Sequence, residues 1–347
     1  MIVKDEGQTL ERAISGIKSV ADEIIIVDTG STDNSVEIAK RFTDKVFNFD
    51  WCDDFSAARN YSFDQATCDY VMWLDADDVV TGENAQIIKT LITAGGFDVA
   101  FLKYAAAFDN DGNPTFIYYR ERIFRRFLGL KWEGVVHEAI TPVGKIIYSS
   151  ACILHKKVKG NSPMRNLRIY QNKIANGGKL SPREQFYYGR ELYYNNFILE
   201  SIAVLKAFLQ SDGWVENKVE ASRMLYKALS GLGRREDALA VLAGGFLFSF
   251  PHAEDCCILA SHFEEEGDIT SAIFWYECAL STPEKLENGG FCNVDYSGFI
   301  PAIQLCVLYD KLGNLKKAEE YNELAGSFKP NNESYLYNVQ YFKGVKR

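Results

Sequence analysis

Two aspartates separated by a single residue form the pattern with the clearest chemical meaning in this 347-residue sequence. Asp75 and Asp77 directly follow residues 70–74, an apolar run typical of a buried β-strand. Carboxylate oxygens are the ligands that Mg²⁺ and Mn²⁺ prefer, and a cation held there would stabilise a departing diphosphate as a Lewis acid. Aspartates are also common in turns after strands, so the pattern needs support from its surroundings.

The elements around these aspartates predict a sheet that brings several strand ends together. Strand and helix patterns alternate, with strands at 23–28, 45–49 and 70–74 and helices at 36–42 and 56–66. Apolar strands that alternate with helices indicate a parallel sheet covered on both faces, hence a Rossmann-like α/β fold. Ligands of such sheets collect at the carboxyl ends of the strands. Asp28 ends one strand, so we expect it near Asp75.

Small residues recur in register through the second half of the chain. Two pairs lie 34 positions apart, namely Gly233 with Gly267 and Ala238 with Ala272. A third copy with Gly313 follows an insertion, which we place at 284–295. A helix-turn-helix unit of 34 residues is the tetratricopeptide repeat. The predicted organisation is therefore an α/β domain over 1–160, a linker over 161–180, and all-α tetratricopeptide-like repeats over 181–347, with a degenerate first copy at 184–210.

The composition excludes several functional classes. The formal net charge of -9 argues against a protein that binds nucleic acid by neutralising phosphates. None of the eight cysteines forms a C-x-x-C pair, which argues against a zinc ribbon or a thioredoxin-like site. We find neither the run of roughly 18 apolar residues that a membrane span needs nor a signal-peptide pattern. We therefore expect a cytoplasmic protein with reduced cysteines and no membrane span.

Four segments occur in the order typical of one enzyme family. They are residues 1–6 (MIVKDE), 27–33 (VDTGSTD), 54–60 (DFSAARN) and 73–78 (WLDADD). Over roughly residues 1–155 the chain thereby resembles the family 2 glycosyltransferases, which implies the GT-A fold, a nucleotide-diphosphate sugar donor and inversion at the anomeric centre. Residues 132–138 (WEGVVHE) and the repeats resemble a bacterial subgroup that includes SunS-like enzymes, which glycosylate cysteine in bacteriocin peptides, and relatives with other acceptors.

The resemblance implies a donor site made by residues of the first three strands. Asp28 would contact the uracil or ribose, and Val3 and Glu6 would wall the nucleotide pocket. Asp75, with Ala76, would contact the ribose and the metal shell. The family normally has Lys-Asn-Glu where this chain has Asp5 in the middle position, and its first strand begins several residues before Met1. We therefore expect either a short strand here or a start site that is misassigned or truncated.

Metal and phosphate contacts are implied in the same way. Asp77 would bind Mn²⁺ or Mg²⁺ directly, and His155 would be a further protein ligand. The alternative for His155 is a phosphate contact shared with Lys156, Lys157 and Lys159. Arg59 would approach the diphosphate. Among the arginines at 120, 122, 125 and 126, Arg122 is our first choice and Arg125 our second for a bidentate contact with the diphosphate.

An inverting transfer is a single in-line displacement, which needs a base on the face opposite the departing diphosphate. Glu138 is our candidate for this base, and His137 is the alternative. Both lie downstream of the aspartate pair, where the family has its acceptor-side catalytic residues.

Three functional hypotheses remain open. The first is transfer of a hexose from a UDP-sugar to a peptide or protein acceptor that the repeats hold, since repeat solenoids present extended concave surfaces. The second keeps the donor chemistry but uses a lipid-linked or envelope glycan, so that the repeats would form a homodimer or dock a partner. The third is a catalytically dead repeat scaffold, against which the intact Asp28, Asp75, Asp77 and Glu138 argue.

Overall fold

The computed structural model describes residues 1–158, 160, 164–282 and 289–345, which form an N-terminal α/β part and a C-terminal helical part. The strands are β1 (Ile2–Val3), β2 (Ile26–Asp28), β3 (Val46–Asn48), β4 (Tyr70–Met72), β5 (Asp78–Val79), β6 (Val99–Phe108), β7 (Pro114–Arg125), β8 (Trp132–Glu133), β9 (Ala139–Ile140), β10 (Ile146–His155) and β11 (Cys292–Asn293). The helices of the α/β part are α1 (Leu10–Ile17), α2 (Ser35–Lys40), α3 (Phe55–Asp64) and α4 (Gly82–Ala94). Those that follow are α5 (Arg165–Ala175), α6 (Pro182–Tyr194), α7 (Ile198–Leu209), α8 (Val215–Gly231), α9 (Arg235–Gly245), α10 (Ala253–Glu265), α11 (Ile269–Ser281), α12 (Phe299–Lys311), α13 (Leu315–Phe328) and α14 (Glu333–Val345).

The α/β part has a small parallel sheet and a larger mixed sheet. Strands β1, β2 and β3 pair in parallel, and Asp28 at the end of β2 is in register with Val3 and Asn48. The mixed sheet has the order β11-β7-β6-β10-β5, and β4 pairs antiparallel with β7. A two-stranded ribbon of β8 and β9 completes the set. The strands predicted at 23–28 and 45–49 are thus parallel to each other, as expected.

The expectation that residues 70–74 add a third parallel strand was wrong. A cavity of about 490 Å³, lined by residues of β1, α1, α3 and β4, lies beside β1, and β4 pairs antiparallel with β7. An apolar run reports burial but neither the direction nor the partner of a strand. As a consequence, Asp28 and Asp75 follow strands of two different sheets.

Apolar packing fixes the backbone that carries the aspartates. Helix α1 repeats apolar residues at helical spacing, and Leu10 and Ile14 are completely buried. They share a cluster with Val3 and with Ala76, the residue between the two aspartates. Burying a leucine or isoleucine side chain stabilises a fold by roughly 1.5–3 kcal/mol. The segment around Ala76 is therefore tied to the core.

The helical part consists of consecutive hairpins, as the repeat spacing predicts. Helices α8 and α9, α10 and α11, and α12 and α13 pair closely, and Gly233, Gly267 and Gly313 lie in the three turns with φ of 75°, 80° and 75°. This left-handed conformation favours glycine. In the first, degenerate hairpin of α6 and α7 the corresponding turn contains Asn196 with φ of 66°. Among the described residues, no helix combines the length and apolarity that a bilayer crossing requires.

The segment expected to be a linker contains a packed helix. Helix α5 buries Leu167, Ile169 and Tyr170, and the Tyr170 hydroxyl donates to the main-chain oxygen of Val136 at 3.0 Å. The predicted linker over 161–180 therefore holds a helix from Arg165 to Ala175, and its residues 161–163 lie outside the described residues. The precise domain boundaries stay a prediction.

The insertion in the repeats contacts the sheet of the α/β part. Residues 284–288 of the expected insertion lie outside the described residues, as does Lys159. Further along, β11 pairs antiparallel with β7, with Cys292 opposite Ile117. The helical part therefore contributes one strand to the mixed sheet.

Candidate functional site

A single arginine connects the two motifs that the sequence places far apart. Arg59 lies on α3, is only 8% exposed, and donates from Nη2 to Asp75 Oδ1 at 2.8 Å. Its Nε donates to Oε1 of Glu138, which is also 8% exposed. The indoles of Trp73 and Trp132 lie 4.7 and 5.0 Å from the guanidinium carbon, and such contacts favour a cation. Residues 16 and 79 positions from Arg59 thus meet at one site.

Charge complementarity shifts the pKa values within this cluster. Burial alone would raise the pKa of the Asp75 carboxyl, but Arg59, and then Arg122, lower that pKa to about 2. Burial likewise acts to lower the pKa of Arg59, and the Asp75 and Glu138 carboxylates more than offset it, so the pKa is raised. Asp75 is therefore an anion and Arg59 a cation at neutral pH.

The loop after Asp75 carries a group of potential metal ligands. Strands β5 and β10 pair so that Asp78 lies opposite His155. His155 Nδ1 is 3.4 Å from Asp77 Oδ1 and 3.5 Å from Asp78 Oδ1. Among the described residues, Asp77, Asp78 and His155 form the group whose ligand atoms all lie within 4.8 Å of one another. The expected Asp77 and His155 thus come together, but with Asp78 in the position we expected for Asp75.

The donor set of this group fits a divalent cation. His155 Nδ1 is buried and makes no hydrogen bond, although two carboxylates lie close. Burial would lower the pKa of His155, but Asp77 and Asp78 raise it to about 10. Two carboxylates and an imidazole suit Mn²⁺ better than Mg²⁺. The ammonium of Lys156 lies over the Phe108 ring at 3.1 Å, which does not support the alternative phosphate contact beside His155.

Asp78 is a residue that sequence reasoning missed. It is completely buried and accepts hydrogen bonds from Arg122 Nη1 at 2.9 Å, the Tyr104 hydroxyl at 3.1 Å and the Asp75 main-chain nitrogen at 3.0 Å. These contacts orient the loop and leave Asp77 and His155 as the more accessible ligands. The sequence signal was the fourth residue of the Asp-Ala-Asp-Asp run, to which we gave no role.

The nucleotide side of the predicted site is shaped by backbone hydrogen bonds. Both oxygens of Asp28 accept from main-chain nitrogens of the following turn, from Gly30 at 3.1 Å and from Ser31 at 3.1 and 3.2 Å. The main-chain oxygen of Val3 accepts from Thr29 at 2.9 Å. Glu6 Oε2 accepts from the Thr9 hydroxyl at 2.8 Å. Asp28, Val3 and Glu6 are thus held in place, and their contact with a nucleotide stays a prediction.

The arginines of β7 do not act as the sequence suggested. Arg122 is completely buried, is paired with Asp78 at 2.9 Å and lies 3.6 Å over the Trp73 ring, so it has no access to a diphosphate. Arg125 donates from Nε to the main-chain oxygen of Phe97 at 2.9 Å, at the far end of the strand. Arg120 stays near the site, 22% exposed and 5.0 Å over Trp73.

His137 joins the site to the helical part. Its backbone is left-handed, with φ of 53°, and its ring stacks on Tyr187 of α6 at 4.2 Å. Nε2 lies 2.8 Å from Glu191 Oε1, and the main-chain oxygen accepts from Arg183 Nε at 3.0 Å. Burial lowers the pKa of this histidine, although Glu191 opposes the shift. The participation of α6 was not expected from the sequence, because these contacts are tertiary.

Comparisons with known proteins agree with this architecture. Residues 1–147 match the sequence model of the family described as Glycosyl transferase family 2. The chain is 26% identical over 220 residues to the SPbeta prophage-derived glycosyltransferase SunS of Bacillus subtilis, covering 59% of this chain and 51% of that protein. It is 36% identical over 100 residues to an uncharacterized glycosyltransferase of Rickettsia bellii, covering 28% of this chain and 33% of that protein.

Other similarities concern repeat proteins. A TPR repeat-containing protein of Synechococcus elongatus is 46% identical over 78 residues, covering 22% of this chain and 19% of that protein. A solved structure from a study of Pseudomonas aeruginosa PilF has a TM-score of 0.40 at 13% identity, covering 51% of this chain and 74% of that chain. The chain thus spans about half the length, or less, of the curated relatives it matches.

Proposed function

We propose that the chain transfers a hexose from a UDP-sugar to a peptide or protein acceptor with inversion. The premise is that residues 1–147 form a family 2 glycosyltransferase domain. The position of Arg59 is the observation that carries this proposal, because it bonds both Asp75 and Glu138. A donor-side and an acceptor-side carboxylate thereby face one guanidinium group, an arrangement suited to a displacement in which base and leaving group lie on opposite sides of the sugar.

The donor side would bind the nucleotide-sugar and a cation. Asp77 and His155 would hold Mn²⁺ or Mg²⁺, with the buried Asp78 behind them. A bound cation would neutralise the diphosphate and stabilise it as a leaving group. Asp28 and Glu6 would line the nucleotide pocket beside this cation. Asp75, held by Arg59, would orient the ribose.

Glu138 is the residue that we assign as the base. Its Oε1 accepts from Arg59, whereas Oε2 makes no hydrogen bond with the described residues and can accept a proton from an acceptor hydroxyl or thiol. Arg59 would keep the carboxylate in one orientation during that step. His137 is the alternative base: its pKa is lowered by burial, so the imidazole is neutral near pH 7.

The helical part supports a peptide or protein as the acceptor. Hairpin repeats form extended surfaces that can hold a chain, and α6 of the first hairpin reaches the site through Tyr187 and Glu191. A peptide lying along the repeats could therefore enter the site beside His137 and Glu138. These contacts favour a peptide over an envelope glycan as the acceptor.

Release of UDP from a panel of UDP-hexoses with Mn²⁺ tests the proposal. The wild type is expected to release UDP slowly from at least one donor by hydrolysis. Glu138→Gln should lower kcat by roughly 100-fold or more, as expected for loss of a general base. Glu133→Gln is the matched control, because Glu133 is exposed on β8 and its side chain makes no hydrogen bond or ion pair with the described residues.

Two outcomes would count against the proposal in different ways. A folded wild type that releases no UDP from any donor would refute the transferase activity. Retention of the full rate by Glu138→Gln, together with its loss in a His137 variant, would move the base to His137. Mass spectrometry of synthetic peptides incubated with the active donor then tests the acceptor class.

A further inference from the structure

Arg190 of α6 is a largely buried cation whose position the proposed reaction does not explain. Its guanidinium carbon lies 5.4, 5.6 and 5.7 Å from the ring centroids of Tyr187, Tyr194 and Phe291. Among the described residues no carboxylate lies within ion-pair distance, and Nε is buried without a hydrogen-bond partner. Contacts with ring faces use none of the five N–H donors of a guanidinium, so the Arg190 side chain can still donate hydrogen bonds to a ligand.

The contacts of Tyr187 place Arg190 beside the acceptor side of the site. The imidazole ring of His137 stacks on the Tyr187 ring at 4.2 Å, and the guanidinium of Arg190 lies 5.4 Å from the same tyrosine ring. Arg190 is therefore one aromatic ring away from His137, whose neighbour in the chain is Glu138. Arg59 bonds both Asp75 and Glu138, and His137, next to Glu138 in the chain, shares the Tyr187 ring with Arg190, so the contacts reach Arg190 from the side of the proposed base.

Strand β7 packs against the same phenylalanine ring that Arg190 contacts. Tyr118 of β7 packs on Phe291 at 5.2 Å, and Phe291 is in contact with Arg190. Two residues further along β7 lies Arg120, which differs from Arg190 in having a carboxylate partner, Glu121, at 3.3 Å. Arg190 thus lies among aromatic rings without a carboxylate partner among the described residues, in a chain whose net charge is -9.

We propose that Arg190 binds a carboxylate of the acceptor, so that the enzyme prefers peptides with an acidic residue close to the nucleophile. A guanidinium fork matches a carboxylate with two parallel hydrogen bonds, and the rings of Tyr187 and Phe291 would pack on the apolar part of the peptide. Arg190 would be a specificity-determining residue that sets the position of the nucleophile against Glu138. This inference rests on the proposed peptide acceptor.

Peptide binding to the full chain provides the test. Two fluorescein-labelled nonapeptides with a central serine are titrated by anisotropy in the presence of UDP and Mn²⁺, one with flanking glutamates and one with flanking glutamines. The wild type should bind the acidic peptide at least about tenfold more tightly, the range of one charge-assisted bidentate contact. Arg190→Met should bring the two affinities together. Arg190→Lys, which keeps the charge but not the fork, should leave a smaller preference.

A second arginine provides the matched control. Arg168→Met removes an exposed arginine of α5 whose side chain makes no hydrogen bond or ion pair with the described residues, and it should keep the acidic preference. Thermal unfolding checks that each variant folds, and if Arg190→Met does not, Arg190→Lys carries the test. Since anisotropy needs no turnover, its result is independent of whether UDP release is observed.

Several results would overturn the inference. Equal affinities of the wild type for the two peptides, or an undiminished preference in both Arg190 variants, would do so. Arg190-dependent binding of phosphatidylglycerol vesicles without peptide binding would point to a lipid acceptor instead. A loss of UDP affinity in Arg190→Met, with the peptide preference retained, would assign the arginine to the donor.

Discussion

Removal of the Arg59 guanidinium tests how strongly Asp75 and Glu138, which we propose to lie on the donor and acceptor sides, are coupled. Arg59→Met keeps a long side chain between Trp73 and Trp132 but leaves Asp75 and Glu138 without their shared cation. Breaking a buried ion pair by removing one partner costs about 3–5 kcal/mol.

The geometry places the expected cost at the lower end of this range. The Glu138 side chain is 9% exposed, but that of Asp75 is 31% exposed, and solvent screens part of its repulsion. We therefore expect a loss of about 3 kcal/mol in the free energy of unfolding of the α/β part. At roughly 2–4 °C per kcal/mol, the midpoint of its thermal transition should fall by about 6–12 °C.

Thermal unfolding by circular dichroism and differential scanning fluorimetry measures this change. If like-charge repulsion is the cause, Glu138→Gln should destabilise the wild type but stabilise the Arg59→Met variant, because it then removes one of two unpaired carboxylates. Arg41→Met is the control, because Arg41 is exposed at the end of α2 and its side chain makes no hydrogen bond or ion pair with the described residues; it should change the midpoint by about 1 °C or less. An equal effect of Glu138→Gln in both backgrounds would refute the reasoning.

Further predictions concern the metal, the repeats and pH. Chelation with EDTA should stop UDP release, and added Mn²⁺ should restore it. Loss of a residue that only supports a metal ligand lowers metal affinity roughly 10- to 100-fold, so Asp77→Asn or His155→Gln should raise the Mn²⁺ concentration needed for UDP release by at least that factor. An unchanged Mn²⁺ titration in these variants would exclude the site. Gly267→Ala, at φ of 80°, should cost about 1 kcal/mol in thermal unfolding, whereas Gly231→Ala, in a helix with open space, should be neutral or stabilising, and equal effects would contradict the backbone argument. Because burial lowers the pKa of His137, the folded state binds fewer protons than the unfolded state, so the free energy of unfolding should decrease as pH falls below about 6.5. His137→Asn, which tolerates the left-handed backbone, should reduce this pH slope, and an unchanged slope would exclude His137 as its cause.

Features set by local backbone chemistry could be predicted from the sequence. The turns of the repeats require a left-handed residue, and glycine supplies it at Gly233, Gly267 and Gly313. The strand positions around Asp28 follow from short apolar runs, since such runs are buried in either strand direction. These predictions needed no knowledge of what the elements pack against.

Features set by tertiary contacts could not be predicted. The register of β6 and β7 shifts so that Ala100 lies opposite Ile123 and Phe101 opposite Glu121, which leaves Arg122 as the extra residue. A bulge of this kind reorients side chains, and simple alternation along the strand does not reveal it. The partner of β4 and the contact of His137 with α6 likewise depend on residues far away in the sequence.

The roles of Arg59 show the same limit at the site. The sequence indicated an arginine near a diphosphate, and the structure gives it two carboxylate partners. The spacing of 79 positions between Arg59 and Glu138 carries no signal in a single sequence. Asp75, Glu138 and Arg59 were all predicted as site residues, but the contact of Arg59 with both carboxylates was not.

The pairing of β11 with β7 has a consequence for any attempt to separate the two parts of the chain. Without Cys292 and Asn293, the main-chain donors and acceptors of β7 near Phe116 and Ile117 would form an open strand edge. Phe116 would also lose the ring of Phe291 stacked on it at 5.8 Å. Open edges with exposed aromatic side chains promote intermolecular strand pairing. An excised α/β part should therefore self-associate, because Phe291, Cys292 and Asn293 would no longer protect this edge.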